Sequence, residues 1–168
     1  MLNKKIEEAL NDQINAEFWS AYLYLSMSLH FENEGRTGMA NWFKIQFQEE
    51  QAHALALIDY VNARDGKVIL APIAEVPNSW DSPKAAFEAT LEHEKKVTER
   101  INNLYAMAEE LKDFATRQKL NTFVAEQVEE EESVRQIIDD LTLVGTDGTG
   151  LLQIDRELGS RTFTAPQL

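Results

Sequence analysis

Apolar residues recur every three or four positions through most of this chain, and the recurrence breaks at only a few places. From about residue 3 to 34, Ile6, Leu10, Ile14, Ala21 and Leu25 share one helical face. A second stretch, about 38–65, repeats the pattern through Phe43, Phe47, Leu57 and Val61. Asp81, Ser82 and Pro83 read as a helix start, with a capping hydroxyl and proline at the first helical position. The pattern then runs from Lys84 to Val144 through Phe87, Leu91, Ile101, Leu104, Phe123, Val134, Ile138 and Leu141. As one helix this stretch would be ~90 Å long, too long for a compact domain. A break is therefore expected near Asp113, giving helices at about 82–111 and 113–143. Thr146, Asp147 and Gly148 precede a short helix at about 149–158 and a tail with little periodicity.

The seven glycines and four prolines fall between these stretches or at their ends, which marks the connections. Three connections are tight. The segment from Gly66 to Asp81, carrying Pro72 and Pro77, is long enough to span ~50 Å against ~42 Å for a 28-residue helix. It can run the length of a bundle and set the second and third helices parallel. The expected fold is all-α: a four-helix bundle with one long crossover and a short fifth C-terminal helix, the ferritin-like arrangement.

The stripes are interrupted where a core should be continuous. Glu17 breaks the first near its midpoint, Glu50 and His53 the second, Glu94 the third, and Gln127 and Glu130 the fourth. Midpoints of antiparallel or parallel helices meet, so these side chains converge on one buried layer. Four uncompensated carboxylates there would be prohibitive, and the neighbouring stripe positions offer no Lys or Arg. Two divalent cations would balance them, with His53 as a neutral imidazole ligand. Oxygen-rich ligation with one imidazole suits iron or manganese better than zinc. A symmetric site would repeat Glu-x-x-His on the fourth helix; Gln127-x-x-Glu130 stands there instead. One position would then take Glu17, Glu50 and His53, and the other Glu50, Glu94 and Glu130, the second binding more weakly. Tyr24 lies seven residues beyond Glu17 on the same face, within reach of a ligand carboxylate. Glu49, Glu126 and Glu129 adjoin the set and define a third cation position sharing Glu130. Glu131 and Glu132 read as a solvated face, and His30 and His93 as surface or interface histidines.

Composition narrows the classes. The 168 residues are one domain's worth, expected as a single ferritin-like domain. A net charge of -13 removes the basic footprint that a nucleic-acid partner needs. Without cysteine there are no disulfides, thiolate zinc sites, iron–sulfur clusters or cysteine nucleophiles. The opening residues, Met1 to Glu8, carry no apolar signal segment, and no apolar run approaches ~18 residues. A soluble cytoplasmic protein with no membrane partner is the expectation.

Glu17, Glu50-x-x-His53, Glu94 and Gln127-x-x-Glu130 on such a bundle closely resemble bacterial non-haem ferritins, over residues 2 to about 161. The resemblance implies a hollow homo-oligomeric shell of 24 subunits that oxidises Fe(II) with dioxygen or hydrogen peroxide and stores Fe(III) as hydrated oxide. By position, Glu17, Glu50, His53, Glu94 and Glu130 match the ferroxidase ligands, Gln127 a metal-site residue that either supports those ligands or binds oxygen, and Tyr24 the tyrosine beside the centre. Glu49, Glu126, Glu129 and Glu130 match the third iron site of that branch. Ala52 stands where bacterioferritins carry their haem methionine, so no haem is expected. A soluble di-iron oxygenase or peroxidase uses similar ligands and is the competing class; it would need a substrate pocket beside a fixed metal pair. A metal-free structural bundle is the third.

Overall fold

The structure, a computed structural model, describes residues 2–168. It contains α1 (Lys4–Asn33), α2 (Thr37–Ala63), α3 (Pro83–Glu110), α4 (Phe114–Val144) and α5 (Gly148–Leu158), with no strand among the described residues. Local chemistry sets the ends. Asn3 caps α1 by accepting from the Lys5 amide, and Ser82 caps α3 by accepting from the Ala85 amide, with Pro83 at the first turn. Asp113 caps α4 through the Thr116 amide, and Asp147 caps α5 through the Gly150 amide. The break between α3 and α4 bears little signal because Lys112, with no glycine to help it, takes the left-handed conformation at φ 56°.

Pairings along the helices give the directions. Ser28 faces Ala40, and Glu17 faces His53, so α1 and α2 are antiparallel. Met27 meets Thr90 and Gln13 meets Arg100, which sets α3 antiparallel to α1 and hence parallel to α2. Arg64 grips Asp113 while Gln46 meets Glu130, so α4 is antiparallel to α2. The crossover is what permits this. It climbs the outer face of α1, where Glu7, Asn11, Asn15, Trp19 and Ser26 bond in turn to the backbone of Lys67, Ile69, Ala71, Glu75 and Pro77. His30 then packs edge-on against Trp80. Side chains at four- to seven-residue intervals on one helix thus satisfy a loop that has no ladder of its own.

Gly38 is not the helix breaker that its position suggests. It lies inside α2, and a Cβ there would sit 1.5 Å from the Asp155 carbonyl oxygen. The missing side chain lets α5 close on the start of α2, where the Asp155 carboxylate accepts from the amides of Gly38 (3.2 Å) and Met39 (2.9 Å). An acidic residue from α5 thereby caps α2, whose own N-cap residue makes no side-chain cap bond.

The interior divides in two. Tyr24, Met27, Phe31, Met39, Phe43, Phe87 and Leu141 fill one cluster, and Ile6, Leu10, Ile14, Leu57, Val61, Ile101 and Leu120 the other. Each fully buried large side chain contributes about 1.5–3 kcal/mol. Between the clusters lies a buried polar layer: Gln13, Glu17, Gln46, Glu50, His53, Glu94, Gln127 and Glu130.

Candidate metal centre

All four helices supply this layer from their midpoints. On α2, the i, i+3 spacing puts Glu50 and His53 on one face, with His53 Nδ1 3.3 Å from Glu50 Oε2 and 4.0 Å from Glu17 Oε2 of α1. One ligand atom from each of Glu17, Glu50 and His53 lies within 4.8 Å of the others. All three residues are at most 2% exposed. Glu17 Oε2, Glu50 Oε2 and His53 Nε2 have no hydrogen-bond partner although fully buried. Buried carboxylate oxygens beside an imidazole are a donor set that could hold a hard divalent cation. Phe123 closes the second side, its ring 5.7 Å from that of His53.

The other two carboxylates are close by but engaged elsewhere. Glu94 on α3 accepts from the Tyr24 hydroxyl and from Gln127 Nε2 (3.1 Å). Gln127 Nε2 also lies within hydrogen-bond distance of Thr98 Oγ1 (3.2 Å) and the Glu94 carbonyl (3.3 Å). Glu130 on α4 accepts from Gln46 Nε2 at 2.9 Å. Burial pushes Glu94 up to about 7, against the lowering effect of its bonds from Tyr24 and Gln127. Glu130 rises to about 8 through burial and then the charges of Glu94 and Glu49. Glu50 is raised well above the carboxylate range by burial, reinforced by Glu17 and Glu94. Without metal, the layer therefore holds protons at neutral pH, which keeps like charges from crowding it. Burial also lifts the Tyr24 hydroxyl well above its usual value, so it remains a donor.

Two amide relays support the carboxylates, and the sequence reading missed both. Gln13, four residues before Glu17, donates to Glu17 Oε1 (2.8 Å) and accepts from Arg100 Nε (3.2 Å). Gln46, four residues before Glu50, donates to Glu130 and accepts from Arg161 Nη1 (2.6 Å). Each runs arginine to glutamine to glutamate, a chain in which the cation polarises the amide and strengthens its bond to the carboxylate. Arginines thus do reach the layer's edge, although the stripe positions hold none. A polar side chain one turn before each acidic residue was the available signal.

The residues assigned to a third position are less assembled. Glu126 is half-buried, Glu129 is exposed, and Glu49 pairs with Arg161 at 2.7 Å. Burial raises the Glu49 carboxyl, with Arg161 opposing. Glu131, read as solvated, is half-buried and accepts from Thr98 (2.7 Å) and Arg135 (3.2 Å). His93, read as a surface or interface histidine, is half-buried within the chain: it packs against Trp19 and Tyr24, lies 2.8 Å from Ser20 Oγ, and burial lowers it to about 4. His30 is wedged against Phe31 and Trp80.

Buried glutamates and one histidine converge here from four antiparallel and parallel helices, and Glu17, Glu50 and His53 form a group that could hold a metal ion. The model of the ferritin-like domain family matches residues 7–144. The chain belongs to that family. It is 44% identical over 161 residues to a bacterial non-heme ferritin of Bacteroides fragilis, covering 96% of this chain and 100% of that one. A bacterial non-heme ferritin of Staphylococcus aureus is 37% identical over 163 residues, covering 97% and 98%. An open pore ferritin of the hyperthermophilic archaeon Archaeoglobus fulgidus superposes with a TM-score of 0.96 at 50% identity, over 96% of this chain and 100% of that one. An engineered closed form of the same archaeal ferritin gives 0.96 at 51% identity, over 98% and 100%. The ferritin-like fold and the likeness to bacterial non-haem ferritins, both read from the residues, are borne out.

Proposed function

We propose that this chain is a cytoplasmic iron-storage ferritin, forming a shell of 24 copies, whose centre oxidises Fe(II) and passes Fe(III) inward as hydrated oxide. The observation that carries this reading is the set of unpartnered buried oxygens, Glu17 Oε2 and Glu50 Oε2, turned toward His53 between two apolar clusters. The names of its relatives and the net charge of -13, which draws cations, agree with it. No helix among the described residues is long and apolar enough to cross a membrane.

Fe(II) is the substrate. Glu17, Glu50 and His53 take the first ion, and Glu50, Glu94 and Glu130 the second, with Glu50 shared. Together the two ions displace protons from Glu50, Glu94 and Glu130, so positive charge replaces positive charge and the buried layer stays near neutral. The two ions give one electron each to dioxygen or hydrogen peroxide. Anionic oxygen ligands favour this direction, because Fe(III) gains more from them than Fe(II) does. Tyr24 and Gln127 hold Glu94 from opposite sides and orient it for the second ion. Water then supplies oxo and hydroxo groups as the ferric ions hydrolyse, and protons leave. Ferric iron moves on through the third position at Glu49, Glu126, Glu129 and Glu130. The asymmetry supports storage: a position without imidazole lets its ion go more readily than a fixed catalytic pair would.

Glu130→Ala tests the division of labour. Anaerobic titration should show the Glu17–Glu50–His53 position filling normally and the second and third positions weakened, by about tenfold or more. Unchanged stoichiometry and affinity at all three would contradict the assignment.

A further inference from the structure

The tail after α5 carries a cation into the acidic region. Arg161 Nη2 donates to Glu49 Oε2 at 2.7 Å and Arg161 Nη1 to Gln46 Oε1 at 2.6 Å. Its guanidinium lies 4.8 Å from the centroid of the Trp42 ring. Trp42, Gln46 and Glu49 stand at i, i+4 and i+7 on α2, so they form one stripe that the arginine covers. The placement is built in from the backbone as well. Asn41 Nδ2 donates to the Arg161 carbonyl (3.0 Å) and lies within bonding distance of that of Leu158 (3.4 Å), and the Asp155 cap fixes α5 on the same helix. Arg161 is therefore a half-buried, fork-bonded charge and not a loose surface side chain.

We propose that Arg161 is the resident counter-cation of the third metal position, held on Glu49 until a metal ion displaces it. The proposal rests on the reading that Glu49, with Glu126, Glu129 and Glu130, receives a third ion. A divalent ion and a guanidinium compete for the same carboxylate, and once the ion binds they repel each other at close range. Filling the third position therefore costs the arginine its bond to Glu49, which weakens that position relative to the inner two. The exchange also reaches the centre itself. Arg161 polarises Gln46, and Gln46 holds Glu130, so releasing the arginine loosens the carboxylate shared by the second and third positions. Iron arriving at the third position thus loosens the hold on Glu130, the ligand that the second and third positions share, a device that passes ions on from the centre in one direction.

The test uses the assembled metal-free protein and anaerobic Co(II), followed by calorimetry and equilibrium dialysis. Wild type should bind a third ion more weakly than the first two. Arg161→Gln should tighten that third ion by about tenfold and leave the first unchanged. Arg161→Lys, which keeps the charge but loses the fork, should fall between them. A third-ion affinity in Arg161→Gln equal to or weaker than wild type overturns the proposal and leaves Arg161 as an anchor for α5. Failure of the underlying reading looks different: Glu49→Gln would then bind as many ions as wild type, with the same affinities. Should Arg161→Gln not assemble, Co(II)-soaked wild-type crystals carry the test. An occupied third position with Arg161 moved off Glu49 supports the exchange; an ion on Glu49 beside an intact Arg161 pair refutes it.

Discussion

Glu50→Ala and His53→Ala each slow the initial oxidation of Fe(II) by on the order of a hundredfold or more, with the bundle and its assembly intact. In the proposed centre Glu50 is the shared ligand and His53 the one nitrogen donor. Their close polar neighbours lie within the centre, His53 Nδ1 being 3.3 Å from Glu50 Oε2 and 4.0 Å from Glu17 Oε2, and neither residue ties the helices together elsewhere. In the metal-free protein the same feature reverses the usual expectation for a core substitution. Replacing Glu50 by an apolar residue removes a desolvated carboxyl from among Glu17, Glu94 and Glu130. Glu50→Leu should therefore stabilise the metal-free protein, by about 1–4 kcal/mol, while abolishing fast oxidation. Stopped-flow oxidation and denaturant unfolding of the metal-free forms check both halves. Wild-type oxidation rates in either alanine variant would show that the centre has been assigned to the wrong residues.

The difference in thermal stability between metal-loaded and metal-free protein widens as pH rises from about 5.5 to 8.5. Glu94 titrates at about 7 and Glu130 at about 8 in the folded metal-free layer, against 4.5 for an ordinary glutamate. Between those values the native state binds more protons than the unfolded chain, so metal-free stability falls as pH rises. The contribution is complete below the unfolded value and is lost through the folded ones. A bound divalent ion replaces those protons, so the loaded form escapes the loss and its affinity gains about tenfold per pH unit for each proton displaced. Melting curves of both forms across this window, with proton release measured during loading, give the sign directly. A constant difference, or one that narrows above pH 7, would mean that Glu94 and Glu130 are already ionised before metal binds.

The positions of Glu17, Glu50, His53, Glu94 and Glu130 were legible because charge inside an apolar stripe is costly and so rarely accidental. The crossover was legible too, since Pro72, Pro77 and Gly66 interrupt an otherwise helical chain. The role of Gly38 was not legible, because a glycine that admits a neighbouring helix looks identical in sequence to one that marks a helix end. The turn between α3 and α4 was faint because Lys112 adopts a left-handed conformation usually given to glycine or asparagine. His93 reads as a surface or interface histidine because it adjoins Glu94 in the stripe's flank, and its contacts with Trp19 and Ser20 of α1 depend on helix packing that periodicity does not give. Arg161 could not be read at all. It follows the last periodic element, and only the docking of α5 on the start of α2 carries it to Gln46 and Glu49.

Iron retained per chain tests the central claim most directly. Metal-free protein receives excess Fe(II) in air and passes through a sizing column, with iron and protein quantified in the same peak. Storage in a shell predicts iron atoms on the order of tens to hundreds per chain, eluting with a particle the size of ~24 subunits. Only two or three per chain, travelling with a small oligomer, would contradict storage and leave a fixed di-iron enzyme.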